Sequence, residues 1–445
     1  MLRSQLAYIS FDTVPAPKGA AVHIAAFTQA LGEAFGGVEL VTVAPTLAAE
    51  AGRELWPQVR QSALPAVGDT LIRRVLDFRL RLGQWWQGQR FEVVHVRSPF
   101  EGFPIAQNKD RLCDRLIFEV NGLPSIELKY RYPAVAEDAE LMQKLVAQEQ
   151  VCLDAADLVV TPSAVTQAYL VSRGVAASKI RVIPNGVDLE IFRYQAPGSN
   201  LPLEAPLAPQ IWGELDSKSP SIKPYRASQK RGFRGLMSQS SHFHLLYFGT
   251  LSAWQGVGLT IEALALYCRD FPGRLTIVGQ GRGDQAIALQ RLAAKLGVAD
   301  RVQIIAPVSQ AELVALMHQA DAIAAPLTAN DRNLVQGCCP LKVLEGMASG
   351  TPVIASDLPV VRELGTHDEH LLLVPPGSAK ALKDAMLRLR TETELGGSLA
   401  IAARRRIEAH YAWQQAGTAL VSAYEEMGIT LVPPKFGGLG GQKLL

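Results

Sequence analysis

A lysine and a glutamate three residues apart, Lys342 and Glu345, follow a proline in the stretch GCCPLKVLEGMASGTPVIAS, residues 337–356. Pro340 suits the start of a helix, because the N–H it lacks would have no intrahelical partner there. A helix beginning near Leu341 places Lys342 in its first turn and Glu345 on the same face. The open amides of that turn and the positive end of the dipole favour an anion such as a diphosphate, and Lys342 adds a cation. Glu345 can accept bonds from hydroxyls. A nucleotide sugar carries both partners, a diphosphate for Lys342 and a ribose for Glu345. A solvated surface pair has the same spacing and contributes little. Cys338 and Cys339, at the entrance to the helix, read as small turn residues or as a thiol activated by the helix end.

The elements around this stretch have to be strands and helices in alternation. Val353 to Ala355, after a Gly-Thr-Pro corner, is the short apolar run of a strand buried on both faces. Further strands are expected at 243–249, 275–278, 302–305, 322–325 and 371–374, with helices between them. The first half repeats the pattern, with strands at 6–10, 38–44, 91–96, 115–120 and 158–161 and helices at 20–35, 71–87 and 134–155. This predicts an α/β protein with two doubly wound, Rossmann-like domains and a cleft between them, since ligands sit outside the carboxyl ends of such strands. Gly19 and Ala20 open a helix after the first strand, which also suits a phosphate or sugar contact. The expected division is 1–192 for the first domain, 243–412 for the second, and 413–427 as a helix returning to the first. Residues 193–242, with six prolines and eight serines, read as a linker or mobile insertion, and 428–445 as a disordered tail.

Composition narrows the function. With 48% hydrophobic and 19% charged residues and a net charge of +2, the chain is globular and gives no reason to expect a nucleic-acid partner. The five cysteines lack any C-x-x-C spacing, and no Asp-x-Asp pair offers itself to a divalent ion, so no metal is expected. There is no apolar run of membrane-spanning length, and the first residues enter a strand without a signal-peptide core. A cytoplasmic protein is the expectation. The helix at 71–87 repeats Leu71, Val75, Phe78, Leu82 and Trp85 on one face, with Arg73, Arg74, Arg79 and Arg81 around it. Such a face packs on the sheet or lies on the inner surface of a membrane. Gly279, Gly281 and Gly283 follow a strand, but the third glycine of a dinucleotide fingerprint would fall on Asp284, which disfavours a dehydrogenase.

Collected in order, five pieces carry a family resemblance. They are Pro184-Asn185-Gly186-Val187-Asp188 with Phe192; Tyr247-Phe248-Gly249-Thr250-Leu251; Val278-Gly279-Gln280-Gly281; Ala320-Asp321-Ala322 before Ala325-Pro326; and Lys342 to Ala355. Together they resemble the retaining, group 1 glycosyltransferases of family four, which have the two-domain GT-B fold. The resemblance implies a nucleotide-sugar donor, a glycan or lipid-linked acceptor and a role in bacterial cell-surface or exopolysaccharide synthesis. It assigns Glu345 to the donor ribose, and places Gly19 and Ala20 beside its phosphate and Asn121-Gly122 near the transferred sugar. Gly249, Gly279, Gly281, Pro340 and Leu341 complete the implied donor site. Thr250 and Gln255 stand where the family carries an arginine and a lysine on the diphosphate, and Gly337 where it carries a first glutamate. The phosphate role therefore passes to Lys342 and backbone amides, as expected of a leaving group stabilised without a protein base. Lys342, Glu345 and Asn121 are the candidate catalytic residues, and neither His23 nor His95 is given a proton-transfer role. A non-catalytic scaffold that binds carbohydrate or a partner enzyme is the alternative.

Overall fold

The computed structural model describes residues 5–197 and 242–429, apart from 17, 47, 49 and 282. Most of the expected linker and nearly all of the expected tail lie outside the described residues. Two sheets carry the chain. The first contains β1 (Leu6–Ile9), β2 (Val38–Val43), β3 (Glu50–Trp56), β4 (Val59–Leu64), β5 (Phe91–Val96), β6 (Cys113–Glu119), β7 (Leu158–Thr161) and β8 (Ile180–Val182). Its order is β3-β4-β2-β1-β5-β6-β7-β8, and β3 runs antiparallel to β4. That β3–β4 hairpin, at residues 50–64, corrects the sequence reading, which placed no strand there.

The second sheet contains β9 (Phe243–Phe248), β10 (Gly273–Val278), β11 (Val302–Ile305), β12 (Ala322–Ala325), β13 (Val353–Ser356) and β14 (Leu372–Val374). Its order, β11-β10-β9-β12-β13-β14, is parallel throughout. In β9 the side chains alternate between two apolar layers. Leu246 and Phe248 join one cluster with Val343 and Met347, while Leu245 and Tyr247 join the other with Ile261 and Leu264. Each fully buried side chain of this kind contributes roughly 1.5–3 kcal/mol. A strand covered on both faces therefore reads as an unbroken apolar run. In each sheet the order reverses beside the first strand of its half, between β1 and β5 and between β9 and β12. Ligands of open parallel sheets bind outside the carboxyl ends of the strands at such a point.

By compactness the chain forms two units. Of the described residues, one comprises those within 5–119, 151–159 and 417–429, and the other those within 120–150, 160–197 and 242–416.

Candidate functional site

The loop leaving β9 and the Leu341–Ser349 helix meet at the carboxyl end of the second sheet. Pro340 is the N-cap of this helix rather than its first residue, and Leu341 opens it. None of the described residues accepts a bond from the amides of Leu341 or Lys342. The loop itself is held by close backbone approaches. A Cβ at Gly279 would lie 1.9 Å from the Gly249 oxygen, and one at Gly256 would lie 1.8 Å from the Pro326 oxygen. Gly249 sits at φ +125°, a conformation that favours glycine. A Cβ at Gly281 would crowd Gln285 and Leu251. These glycines bring the ends of β9, β10 and β12 together.

Lys342 points into that junction. Its Nζ donates to Gln255 Oε1 at 3.3 Å and stands 3.7 Å from the centroid of the Tyr247 ring. A Cβ on Gly249 would meet the same ammonium at 3.6 Å, and the Tyr247 hydroxyl donates to the Thr250 carbonyl at 2.7 Å. The structure thus gathers Gly249, Thr250, Gln255, Gly279 and Lys342 into one cluster. Burial lowers the Lys342 ammonium to about 7, with the charge of Glu345 opposing. Burial likewise raises the half-buried Glu345 carboxyl to about 8, with Lys342 opposing. Neither charge has a close ionic partner among the described residues, and both gain from an anion and hydroxyls respectively. Cys338 and Cys339 are buried, and burial pushes both thiols up, so packing and not thiolate chemistry accounts for them.

Asn121 and Gly122 form the turn after β6, in the same compact unit as this cluster. Beside them Glu127 Oε1 accepts from Arg332 Nε at 2.8 Å and from Gln336 Nε2 at 3.1 Å. The Arg332 guanidinium lies 4.4 Å from the centroid of the Trp254 ring, next in sequence to Gln255. The sequence reading named Tyr247 only within a family motif and gave it no site role, and it missed Trp254, Glu127 and Arg332. Only the aromatic at 247 carried a signal, as a residue with a hydroxyl inside the apolar run LLYF.

In the other unit, Gly19 and Ala20 open the helix Gly19–Phe35 behind β1. One turn further His23 Nε2 lies 2.9 Å from Glu119, which is buried at the end of β6. Glu119 also accepts from Tyr8 Oη at 2.5 Å and Arg97 Nε at 2.9 Å, and sits 3.0 Å from His95 Nε2. Burial alone would raise the Glu119 carboxyl, but His23 and Arg97 hold it well below the usual range. His95 is fully buried, its other ring nitrogen 2.7 Å from the Tyr424 hydroxyl, and burial lowers it. It is a satisfied core histidine.

Comparison with known proteins agrees with this geometry. Residues 17–191 match a family model described as Glycosyltransferase Family 4, and residues 242–392 one described as Glycosyl transferases group 1. The D-inositol 3-phosphate glycosyltransferase of Jonesia denitrificans is 25% identical over 342 residues, 75% of this chain and 72% of the relative. Sucrose-phosphate synthase from Thermosynechococcus elongatus superimposes with a TM-score of 0.73 at 20% identity, over 96% of this chain and 99% of that one. Anabaena HepE, solved in complex with UDP-glucose, gives a TM-score of 0.65 at 15% identity, over 95% and 99%. With both halves matched in order and the fold shared end to end, the chain belongs to the family four, group 1 glycosyltransferases, as an enzyme of the GT-B fold.

Proposed function

We propose that the chain transfers a sugar, with retention of configuration, from a nucleoside diphosphate sugar bound at the Lys342 cluster. The observation that carries this is the pairing of Lys342 at a helix N-terminus with Glu345 one turn on, neither with a close ionic partner among the described residues. The diphosphate lies on Lys342 and the amides of Leu341 and Lys342, and the ribose hydroxyls donate to Glu345. The bond from the anomeric carbon to the phosphate oxygen breaks, and the acceptor oxygen bonds that carbon on the same face. The acceptor proton goes to the departing phosphate. Positive charge fixed where negative charge grows is what lowers the barrier, and Lys342 supplies it without a metal. Asn121 contacts the transferred sugar, and the acceptor is a glycan or a lipid-linked saccharide of a bacterial surface or exopolysaccharide pathway. The test is turnover of UDP-glucose, UDP-galactose and GDP-mannose with and without a chelator. Transfer that survives the chelator and is lost in Glu345→Ala is expected; transfer abolished by the chelator overturns the metal-free reading.

The cytoplasmic face of a membrane is the proposed place of work. No helix among the described residues is long and apolar enough to cross a membrane. In the helix Leu71–Trp85 the face singled out in the sequence turns inward, with Val75, Phe78 and Leu82 buried. Another face carries Ile72, Leu76 and Leu80, which are 54%, 56% and 62% exposed. Four residues apart, they make one apolar stripe on a helix with four arginines and one aspartate, a pattern suited to an anionic bilayer. Replacing all three by glutamine should abolish sedimentation with phosphatidylglycerol vesicles while leaving the melting temperature unchanged. Undiminished sedimentation would remove this stripe from the reading.

A further inference from the structure

The carboxylate of Glu127 is held in a way that a purely structural ion pair does not need. Oε1 takes both available donors, Arg332 Nε at 2.8 Å and Gln336 Nε2 at 3.1 Å. Gln336 is fully buried and is itself fixed, its Oε1 accepting from the Leu123 amide at 2.9 Å and its Nε2 reaching the Gly337 carbonyl at 3.3 Å. Arg332 is fixed by the Trp254 ring and by Asn333. Oε2, in contrast, accepts from none of the described residues, and the Glu127 side chain keeps 36% of its surface open. One oxygen is therefore clamped and the other presented. A carboxylate oriented in this way is suited to accept a bond from a hydroxyl, with no rotamer freedom left to lose on binding.

Its position gives that hydroxyl an identity. A Cβ at Gly122 would lie 2.5 Å from Oε1 and 2.7 Å from Glu127 Oε2, so the absence of a side chain at 122 is what admits the carboxylate beside Asn121. On its other side the carboxylate meets Gln336, which precedes Gly337 in the segment that runs into the Leu341–Ser349 helix. Gly337 cannot contribute a carboxylate of its own. Its φ is +83°, and a Cβ there would stand 2.6 Å from Thr166 Oγ1 and 2.7 Å from Ser163 Oγ.

We infer that Glu127 binds a hydroxyl of the donor's sugar ring and contributes to the choice of sugar, supplying from the 120s segment a carboxylate that position 337 does not. The inference rests on the donor reading above, with the diphosphate at Lys342. Arg332 and Gln336 are positioning residues for it. A mere tie between the Pro124–Arg131 helix and the 331–336 turn would serve nucleotide and nucleotide sugar alike, whereas a sugar contact serves only the second.

Calorimetry on the full chain separates the two. The parent protein is titrated with UDP, GDP, UDP-glucose, UDP-galactose and GDP-mannose, and the best nucleotide sugar is compared with its own nucleoside diphosphate. Glu127→Gln keeps the shape and removes the charge. It should weaken the nucleotide sugar about tenfold and leave the nucleoside diphosphate within about twofold of the parent. Glu127→Asp, which keeps the charge of the Arg332 pair but shortens the reach, serves if Glu127→Gln does not fold, and should lose the same increment. Equal weakening of both ligands, or no change in either, overturns the inference while leaving the donor site standing. Failure of the parent protein to bind any of the five overturns the donor reading and this inference with it.

Discussion

Lys342 is a residue that the ligand-free protein is worse for having. An ammonium whose ordinary value is 10.5, brought down to about 7 by burial, costs folding free energy whenever it is charged. Between those two values the unfolded chain holds the proton and the folded one does not, so stability rises with pH across that window. Glu345 runs the other way. Its carboxyl, raised from 4.5 to about 8, costs stability as pH rises through its own window. The pair is thus at its least stabilising between about pH 7 and 8. Lys342→Met should make the ligand-free protein more stable by roughly 1–4 kcal/mol near neutrality. It should also flatten the rise in melting temperature above about pH 8, as a thermal scan across pH would show. The same residue is expected to govern turnover. Lys342→Gln should lower kcat more than it raises KM, because charge grows on the phosphate as the bond breaks. Since Nζ already touches Gln255, Gln255→Lys returns an ammonium to nearly the same place. The double variant should regain most of the lost kcat, and a double variant no better than the single one would place the phosphate elsewhere.

At the scale of elements, the junction of β9, β10 and β12 is built on backbone contacts that admit no side chain. Gly279→Ala forces a methyl to within 1.9 Å of the Gly249 oxygen, so the β9 loop must shift. It should destabilise the protein by roughly 1–3 kcal/mol and weaken nucleoside diphosphate binding. Gly258→Ala, in the helix Val257–Tyr267 with nothing nearer than 3.5 Å, should be neutral or gain about 0.4–1 kcal/mol, and urea titration of both variants checks the contrast. These elements were legible in the sequence to different degrees. The inner strands of the second sheet stand out because both their faces are covered, and AIAA and VIAS fall where their apolar runs place them. The hairpin of β3 and β4 does not stand out. Its edge strand, EAGRELW, carries charges and has no apolar period to betray it. In the site, Lys342 and Glu345 were readable because helical spacing is a local rule. Glu127 and Arg332 were not, because they meet across 205 residues of chain and no local rule reaches so far.

At the scale of the whole molecule, the two halves of the sequence differ in how self-sufficient they are. The second sheet closes within one continuous stretch, from Phe243 to Val374. The first compact unit does not, because it includes residues 417–429 from the far end of the chain. Tyr424 is fully buried there, against His95 and the Phe35 ring. On the ribosome, where segments fold in the order in which they emerge, the unit that is begun first is therefore finished last. Its core has an unfilled place, and the His95 Nδ1 lacks its Tyr424 partner, until residue 424 has emerged. A chain released before Tyr424 therefore lacks both the ring that packs beside Phe35 and the hydroxyl that meets His95.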